Sequence, residues 1–395
     1  MLSGWPARWV VMGVFVLSSA LNYLDRQILA QLAPVLKAEF GLTNRDFGAV
    51  LSAFSLVYAA ASPLAGVMID RLGLNRGISI VVGCWSLAGM VTGLANGFAS
   101  LLASRAALGL FQAGGVPAAG KAIRSYLLPE ERAVGQAASQ LGLSLGAALA
   151  PPLATALALR FGWRSAFFGA GVLGLLWIPL WWCVSRGAPA QAGIVRGPAT
   201  FPRDVLQDRR LWVFAAANVL GMTVYTLWTN WTTLYLVQVH HMLLGDTAWL
   251  AGVPPLMAPL GGFLGGWMSM KLIQRGMAPL AARYRACLLS AAAMLVTALV
   301  PAMPAPAAAV LAIGVSFLFA AAFSVNMYAM PLDAFPPERA AFGVSILTGA
   351  YGAMQTVFSP LIGAMVDRFG FGSVCLVLAW LPLAGVLILR GAVRR

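Results

Sequence analysis

An all-α integral membrane protein, with twelve transmembrane helices in two pseudo-symmetric six-helix bundles, is the fold that the sequence predicts. Three observations predict it: the composition, the spacing of the apolar runs, and an internal repeat. The 395 residues are 60% hydrophobic and only 10% charged, with a mean hydropathy of +0.83, whereas soluble domains carry about 25% charged residues. At about 20 apolar residues per span, this length accommodates roughly twelve spans joined by short loops, and no soluble domain. The runs lack the ten-residue alternation of a membrane barrel strand, so the spans are helical.

The apolar runs fall at about 9–35, 45–67, 77–97, 99–124, 134–157, 164–184, 211–238, 247–270, 279–300, 305–331, 340–365 and 372–389. The longest polar interruption, 185–210, holds Arg186, Arg196, Arg203, Asp204, Asp208, Arg209 and Arg210. It divides the chain into an N-terminal bundle (1–184), a cytoplasmic linker (185–210) and a C-terminal bundle (211–395). The first run is too long for a cleavable leader and lacks a small-residue cleavage site, so it reads as the first span.

The formal net charge of +14 would suggest nucleic acid in a soluble protein. Here the basic residues sit mostly at span ends, where they report topology and not a nucleic-acid partner. With both termini cytoplasmic, that side carries 18 Lys and Arg, the other side carries 6, and Arg105 and Lys121 lie within a span. Cys84, Cys183, Cys287 and Cys375 are scattered singly through apolar runs and show no metal-ligand spacing. They read as small buried hydrophobes, and no metal or cofactor is expected.

The two halves repeat. Residues 128–132 (LPEER) match 335–339 (FPPER), and 158–163 (ALRFGW) match 366–371 (VDRFGF), at offsets of 207 and 208. Six-span repeats related along the membrane normal are a transporter signature, with substrate near the midplane. No His/Asp/Glu grouping has the spacing of an active site, which argues against a membrane enzyme.

Charges inside the spans carry the functional reading. Asp25 and Arg26 sit side by side in the first apolar run, where an ionisable residue costs about 2.5–3.5 kcal/mol; the bland alternative is a hydrated cap on a shorter span. Helical spacing puts Asn22, Tyr23 and Arg26 on one arc and turns Asp25 about 100° away, so neighbouring opposite charges need not cancel. In the fourth run, Arg105 and Gln112 share a face, with small residues at 109, 113, 114, 115 and 120 that suit close helix approach. Two guanidiniums make the N-terminal half a place for an organic anion. In the second half Tyr351 and Gln355 stand at i and i+4 and suit hydroxyl recognition, with Asn230 a further candidate. Trp228 and Trp231 read as interfacial anchors, and His240 and His241 as solvated loop residues.

Gly66-Val-Met-Ile-Asp70-Arg71-Leu-Gly73 resembles the G-x-x-x-D-R-x-G signature of the major facilitator superfamily, and the likeness extends over essentially the whole chain. Asp70 and Arg71, with Lys121, then form a cytoplasmic gate. The equivalent place in the second half, Gly266 to Lys271, has lost the acid and predicts a weaker latch. Asn-Tyr-Leu-Asp-Arg in span 1, the R-x-x-x-G-x-x-Q pattern and Lys121 of span 4, Pro-Glu-Glu-Arg and Gly162-Trp163-Arg164 together resemble the anion:cation symporter branch, which includes proton-coupled carriers of galactonate and hexuronates. The resemblance implies that Arg26 and Arg105 hold a substrate carboxylate, that Asp25 takes part in proton coupling, and that Tyr23 and Tyr58 line a sugar-acid site. Many relatives have a glutamate where this chain has Gln112, which can hydrogen-bond substrate hydroxyls but cannot carry a proton. The expectation is therefore a monomeric carrier in a bacterial inner membrane, importing a monoanionic organic acid with one proton. Export of drugs or cations by the same fold, and a non-transporting sensor, are the alternatives.

Overall fold

The computed structural model describes residues 5–128, 131–186 and 203–393; the side chains of 5, 6, 63, 70, 133, 203, 204, 337–341, 392 and 393 are excepted. Described residues lie almost wholly in helices. Nine stretches among them are long and apolar enough to cross a membrane. The last, 342–391, holds two spans, because α15 (Pro337–Val393) breaks at Gly370. Adding α3 (Asn44–Leu72) and the pair α5 (Phe98–Gln112) and α6 (Gly115–Tyr126) accounts for the twelve runs of the sequence.

Several spans are interrupted, and each break has a local cause. The first, α1 (Trp5–Gln31), turns at Leu32 into the short α2 (Ala33–Phe40), which has proline in its first turn and ends on Gly41 in the left-handed conformation. The fourth bends at Ala113 and Gly114, just ahead of Pro117. The remaining elements are α4 (Leu74–Thr92), α7 (Arg132–Phe161), α8 (Arg164–Ser185), α9 (Arg203–Gln207), α10 (Arg209–Gly221), α11 (Thr223–Val239), α12 (Leu244–Gln274), α13 (Pro279–Ala293) with a 3₁₀ extension to Ala302, and α14 (Pro306–Ala334). The expected linker 185–210 lies largely outside the described residues, at 187–202.

The helices form two compact units. Unit 1 comprises 1–42, 49–196 and 244–252; unit 2 comprises 43–48, 197–243 and 253–395. The repeat appears in the backbone as matched tight turns. Gly73 (φ 80°) and Gly276 (φ 86°) make one pair, and Gly162 (φ 84°) and Gly370 (φ 73°) the other, all in a region that only glycine enters without strain.

In unit 1 an aromatic core joins α1, α6 and α8. Trp177 stacks on Trp181 at 5.4 Å, Phe15 and Tyr126 meet Trp181 edge-on, and Trp177 Nε1 donates to the Val14 carbonyl at 2.7 Å. In unit 2 one expectation is corrected: Trp228 and Trp231 are fully buried and are not interfacial anchors. With Tyr235 they lie at i, i+3 and i+7 on the inward face of α11, against Phe371 and Phe47. Among the described side chains, the tryptophans exposed at the surface are Trp212, Trp249, Trp267 and Trp380. His240 is also less free than expected, because its Nε2 lies 3.2 Å from the Tyr235 hydroxyl.

Candidate functional site

Unit 1 brings Asn22, Tyr23, Asp25 and Arg26 of α1 against α3, α4, α5 and α6. The Arg26 guanidinium sits in an aromatic cage, 4.8 Å from the Tyr23 ring centroid, 4.5 Å from Phe54 and 5.1 Å from Tyr58. Phe54 and Tyr58 come from successive turns of α3 and stack on each other at 5.6 Å. A cation facing aromatic rings keeps its charge while its rim donors stay available. Arg26 Nη2 donates to Gln112 Oε1 at 3.5 Å, and Arg26 Nε has no partner among the described residues.

Gln112 is engaged at both ends. Its Nε2 donates to the Asn22 carbonyl at 3.2 Å while its Oε1 accepts from Arg26, and it is 1% exposed. Its observed contacts are those to Arg26 and to the Asn22 carbonyl. Asn22 itself is buried, and its Nδ2 has no partner among the described residues. Gly115 leaves room there, since a Cβ at that position would lie 3.3 Å from Asn22 Nδ2.

Asp25 turns away from Arg26, as the helical spacing predicts. It is buried against Gly89 of α4, where an added Cβ would lie 3.7 Å from Asp25 Oδ1. Arg105 is the charged group that acts on Asp25, and both Asp25 and Arg26 act on Arg105. Arg105 is 2% exposed and lies 5.7 Å from the Phe167 ring centroid. Asp25 Oδ2 and Arg105 Nε and Nη2 make no hydrogen bond among the described residues. The two arginines thus occupy different settings: Arg26 is half-buried in the cage, and Arg105 is enclosed with the acid.

Gly109 lies on α5 between Arg105 and Gln112. A Cβ there would overlap the Phe54 carbonyl oxygen and lie 3.2 Å from the Tyr58 nitrogen. Glycine therefore lets the α3 backbone touch α5, and that contact brings Phe54 and Tyr58 over Arg26.

In unit 2, Gln355 Nε2 donates to the Tyr351 hydroxyl at 3.0 Å, and Thr226 Oγ1 lies 3.4 Å from the same hydroxyl. Asn230 Nδ2 donates to the Thr226 carbonyl at 3.1 Å. The three expected residues, Tyr351, Gln355 and Asn230, thus gather around Thr226, which the sequence reading missed.

At the expected gate of unit 1, Lys121 Nζ donates to the Ile69 carbonyl at 2.9 Å, near the C-terminus of α3, where a cation is favoured. Arg71 is exposed, and the Asp70 side chain lies outside the described residues. The corresponding place in unit 2 has a substitute that was not anticipated: Arg283 of α13 pairs with Asp333 of α14 at 3.1 Å and donates to Ser269 of α12 at 2.7 Å. Position 270 is a methionine, and the carboxylate paired near this place is Asp333 of α14.

Residues 15–347 match the Major Facilitator Superfamily family model. The chain is 25% identical over 402 residues to the hexuronate transporter of Escherichia coli K12, covering 97% of this chain and 93% of that protein. It is 28% identical over 283 residues to the galacturonate transporter of Dickeya chrysanthemi, covering 67% and 81%. A solved structure of a bacterial homolog of the human lysosomal transporter Spinster, inward-facing and unoccupied, shares the fold with a TM-score of 0.78 at 21% identity, covering 99% of this chain and 96% of that one. The all-helical twelve-run architecture, the repeat and this match over most of the length agree: the chain is a multi-pass membrane transporter, not an enzyme, and belongs to the major facilitator superfamily.

Proposed function

We propose that the protein carries a hexuronate-like sugar acid together with a proton. The observation that carries this reading is the caged Arg26. Its Nε and the neighbouring Asn22 Nδ2 are donors without partners among the described residues, and Gln112 fixes the guanidinium from behind. A carboxylate on such a site gains charge-assisted hydrogen bonds, each worth about 1.5–3 kcal/mol. The similarity to sugar-acid transporters supports the same substrate class. Drug or cation export fits less well, because the cation in the cage would repel a cationic substrate.

In this reading Tyr23 and Tyr58 of unit 1 present rings to the sugar face; in unit 2, taken by itself, the Tyr351, Gln355 and Asn230 group is suited to hydroxyl recognition. Asp25 and Arg105 handle the proton. While Asp25 is ionised, the enclosed pair is neutral; when it is protonated, the Arg105 charge is released and favours anion binding. One proton taken up with one monoanion then leaves the charge of the site unchanged, so the transport step is electroneutral. The bias of 18 basic residues against 6 supports cytoplasmic termini.

Thermal unfolding of the purified protein with galacturonate, with the uncharged sugar galactose, and with an organic cation tests the substrate class. Stabilisation by the acid alone, growing with its concentration, is the expected result. Stabilisation by the cation, or equally by galactose, would contradict the reading.

A further inference from the structure

An apolar groove of about 330 Å³ lies wholly within unit 1, between α7 and α8, with α1 as its floor. Its shape follows from unequal helix spacing. On one side α7 rests on the α1 backbone: a Cβ at Gly142 would lie 2.8 Å from the Val16 oxygen, and one at Gly146 would overlap the Ala20 oxygen. On the other side α8 is held off by the bulk of Trp177, whose indole N–H donates to the Val14 carbonyl at 2.7 Å. The walls converge where a Cβ on Gly169 of α8 would lie 3.0 Å from Leu157 Cδ1 of α7. Toward Leu149 and Leu176 they part.

The lining is seven leucines with Ala20, Gly146 and Trp177, and carries no charged or hydroxyl side chain. Leu149, Leu173, Leu176 and Leu180 are exposed at its rim, whereas Leu21, Leu24 and Trp177 are buried at its floor. Such a groove offers water no partner and stays dry, while any gap above its floor forfeits dispersion contacts. Each lining residue lies within about 9 Å of the middle of its own span, at 1.5 Å per residue. The groove therefore sits deep in the hydrocarbon, whose half-thickness is about 15 Å. A methylene fills about the liquid volume of a water, roughly 30 Å³, so the groove takes on the order of ten of them. Ten lining residues are too few to seat a second copy of the chain, because a stable interface engages about 20–30 residues a side.

We propose that this groove binds the distal part of one acyl chain of a membrane phospholipid. At about 100° per residue, Leu17, Ala20, Leu21 and Leu24 occupy the side of α1 opposite Asn22, Tyr23 and Arg26. The bound chain thus forms the wall behind the segment that presents the candidate site. Shape and depth define the seat, and no headgroup contact enters it. The proposal rests on the membrane-spanning fold and not on the substrate reading, and its test needs no substrate.

The test reconstitutes the full chain in phosphatidylcholine vesicles that contain a trace of phosphatidylcholine bearing a photoactivatable diazirine, either at the end of one acyl chain or next to its carbonyl. After illumination, adduct positions are read by peptide mass spectrometry. The terminal diazirine is expected to label Leu21, Leu24 and Trp177 at least about fivefold more than the carbonyl-proximal one, which stays near the interface about 15 Å from the midplane. Ala20→Phe fills the groove from its floor and is expected to reduce those adducts about tenfold, the ratio that the lower range of overpacking penalties corresponds to. Phe263 of α12, exposed on unit 2, should be labelled as in the parent. Absence of adducts at the three floor residues while Phe263 is labelled, equal labelling of the floor by both probes, or unchanged floor labelling in Ala20→Phe would overturn the proposal. Should Ala20→Phe not purify as a single species, Leu176→Trp narrows the groove from its rim and is read in the same way.

Discussion

Replacing Gln112 by glutamate puts a charge where the structure has a neutral bridge. The Gln112 oxygen stands 3.5 Å from Arg26 Nη2, and a unit charge at that distance attracts the guanidinium by about 5 kcal/mol at an effective dielectric constant of 20, before the cost of desolvation is set against it. A charged hydrogen bond is worth about 1.5–3 kcal/mol in net terms, so an incoming carboxylate has to displace roughly that much from Arg26. The same change removes the donor to the Asn22 carbonyl. At 1.4 kcal/mol per factor of ten, Gln112→Glu is expected to weaken sugar-acid binding by about ten- to a hundredfold at pH 8. Calorimetric titration with galacturonate at pH 8 reads the loss. A folded Gln112→Glu protein that binds as tightly as the parent at pH 8 would refute the claim that Gln112 acts through Arg26.

Further outcomes follow from single contacts. Gly109→Ala forces a Cβ onto the Phe54 carbonyl oxygen, so it should cost about 1–3 kcal/mol of stability and weaken substrate binding through the displaced cage, measured as midpoint and Kd on the same sample. Arg105→Ala leaves Asp25 buried without its compensating charge and should cost about 3–5 kcal/mol; adding Asp25→Asn should recover much of that in thermal unfolding, and equal destabilisation of single and double variants would show that the two do not interact. His240 lies outside the spans, and partial burial, with the neighbouring His241, holds its pKa below the ordinary 6.5. A depressed histidine favours the neutral folded form, so its contribution is present above pH 6.5 and is lost as pH falls through the lower folded value; His240→Gln should flatten that part of the melting-temperature profile.

The sequence reading and the structure agree where a single helix decides the outcome. The 100° turn between Asp25 and Arg26 follows from the helical period, and the structure shows the two facing different neighbours. The Tyr351 and Gln355 pair was legible for the same reason. What depended on packing between helices was not legible. Phe54 looks like any apolar residue of α3, and only the Gly109 contact reveals it as a wall of the cage. Trp228 and Trp231 could not be told from lipid-facing aromatics without knowing which face of α11 is covered. Asp333 serves Arg283 from fifty residues away, a distance over which sequence carries no pairing signal.

Counterflow of labelled galacturonate in proteoliposomes tests the central claim most directly, with Arg26→Ala and Asp25→Asn compared with the parent. The account predicts exchange and pH-gradient-driven accumulation by the parent, neither by Arg26→Ala, and exchange without gradient-driven accumulation by Asp25→Asn. Exchange by Arg26→Ala at the parent's rate and affinity would contradict it.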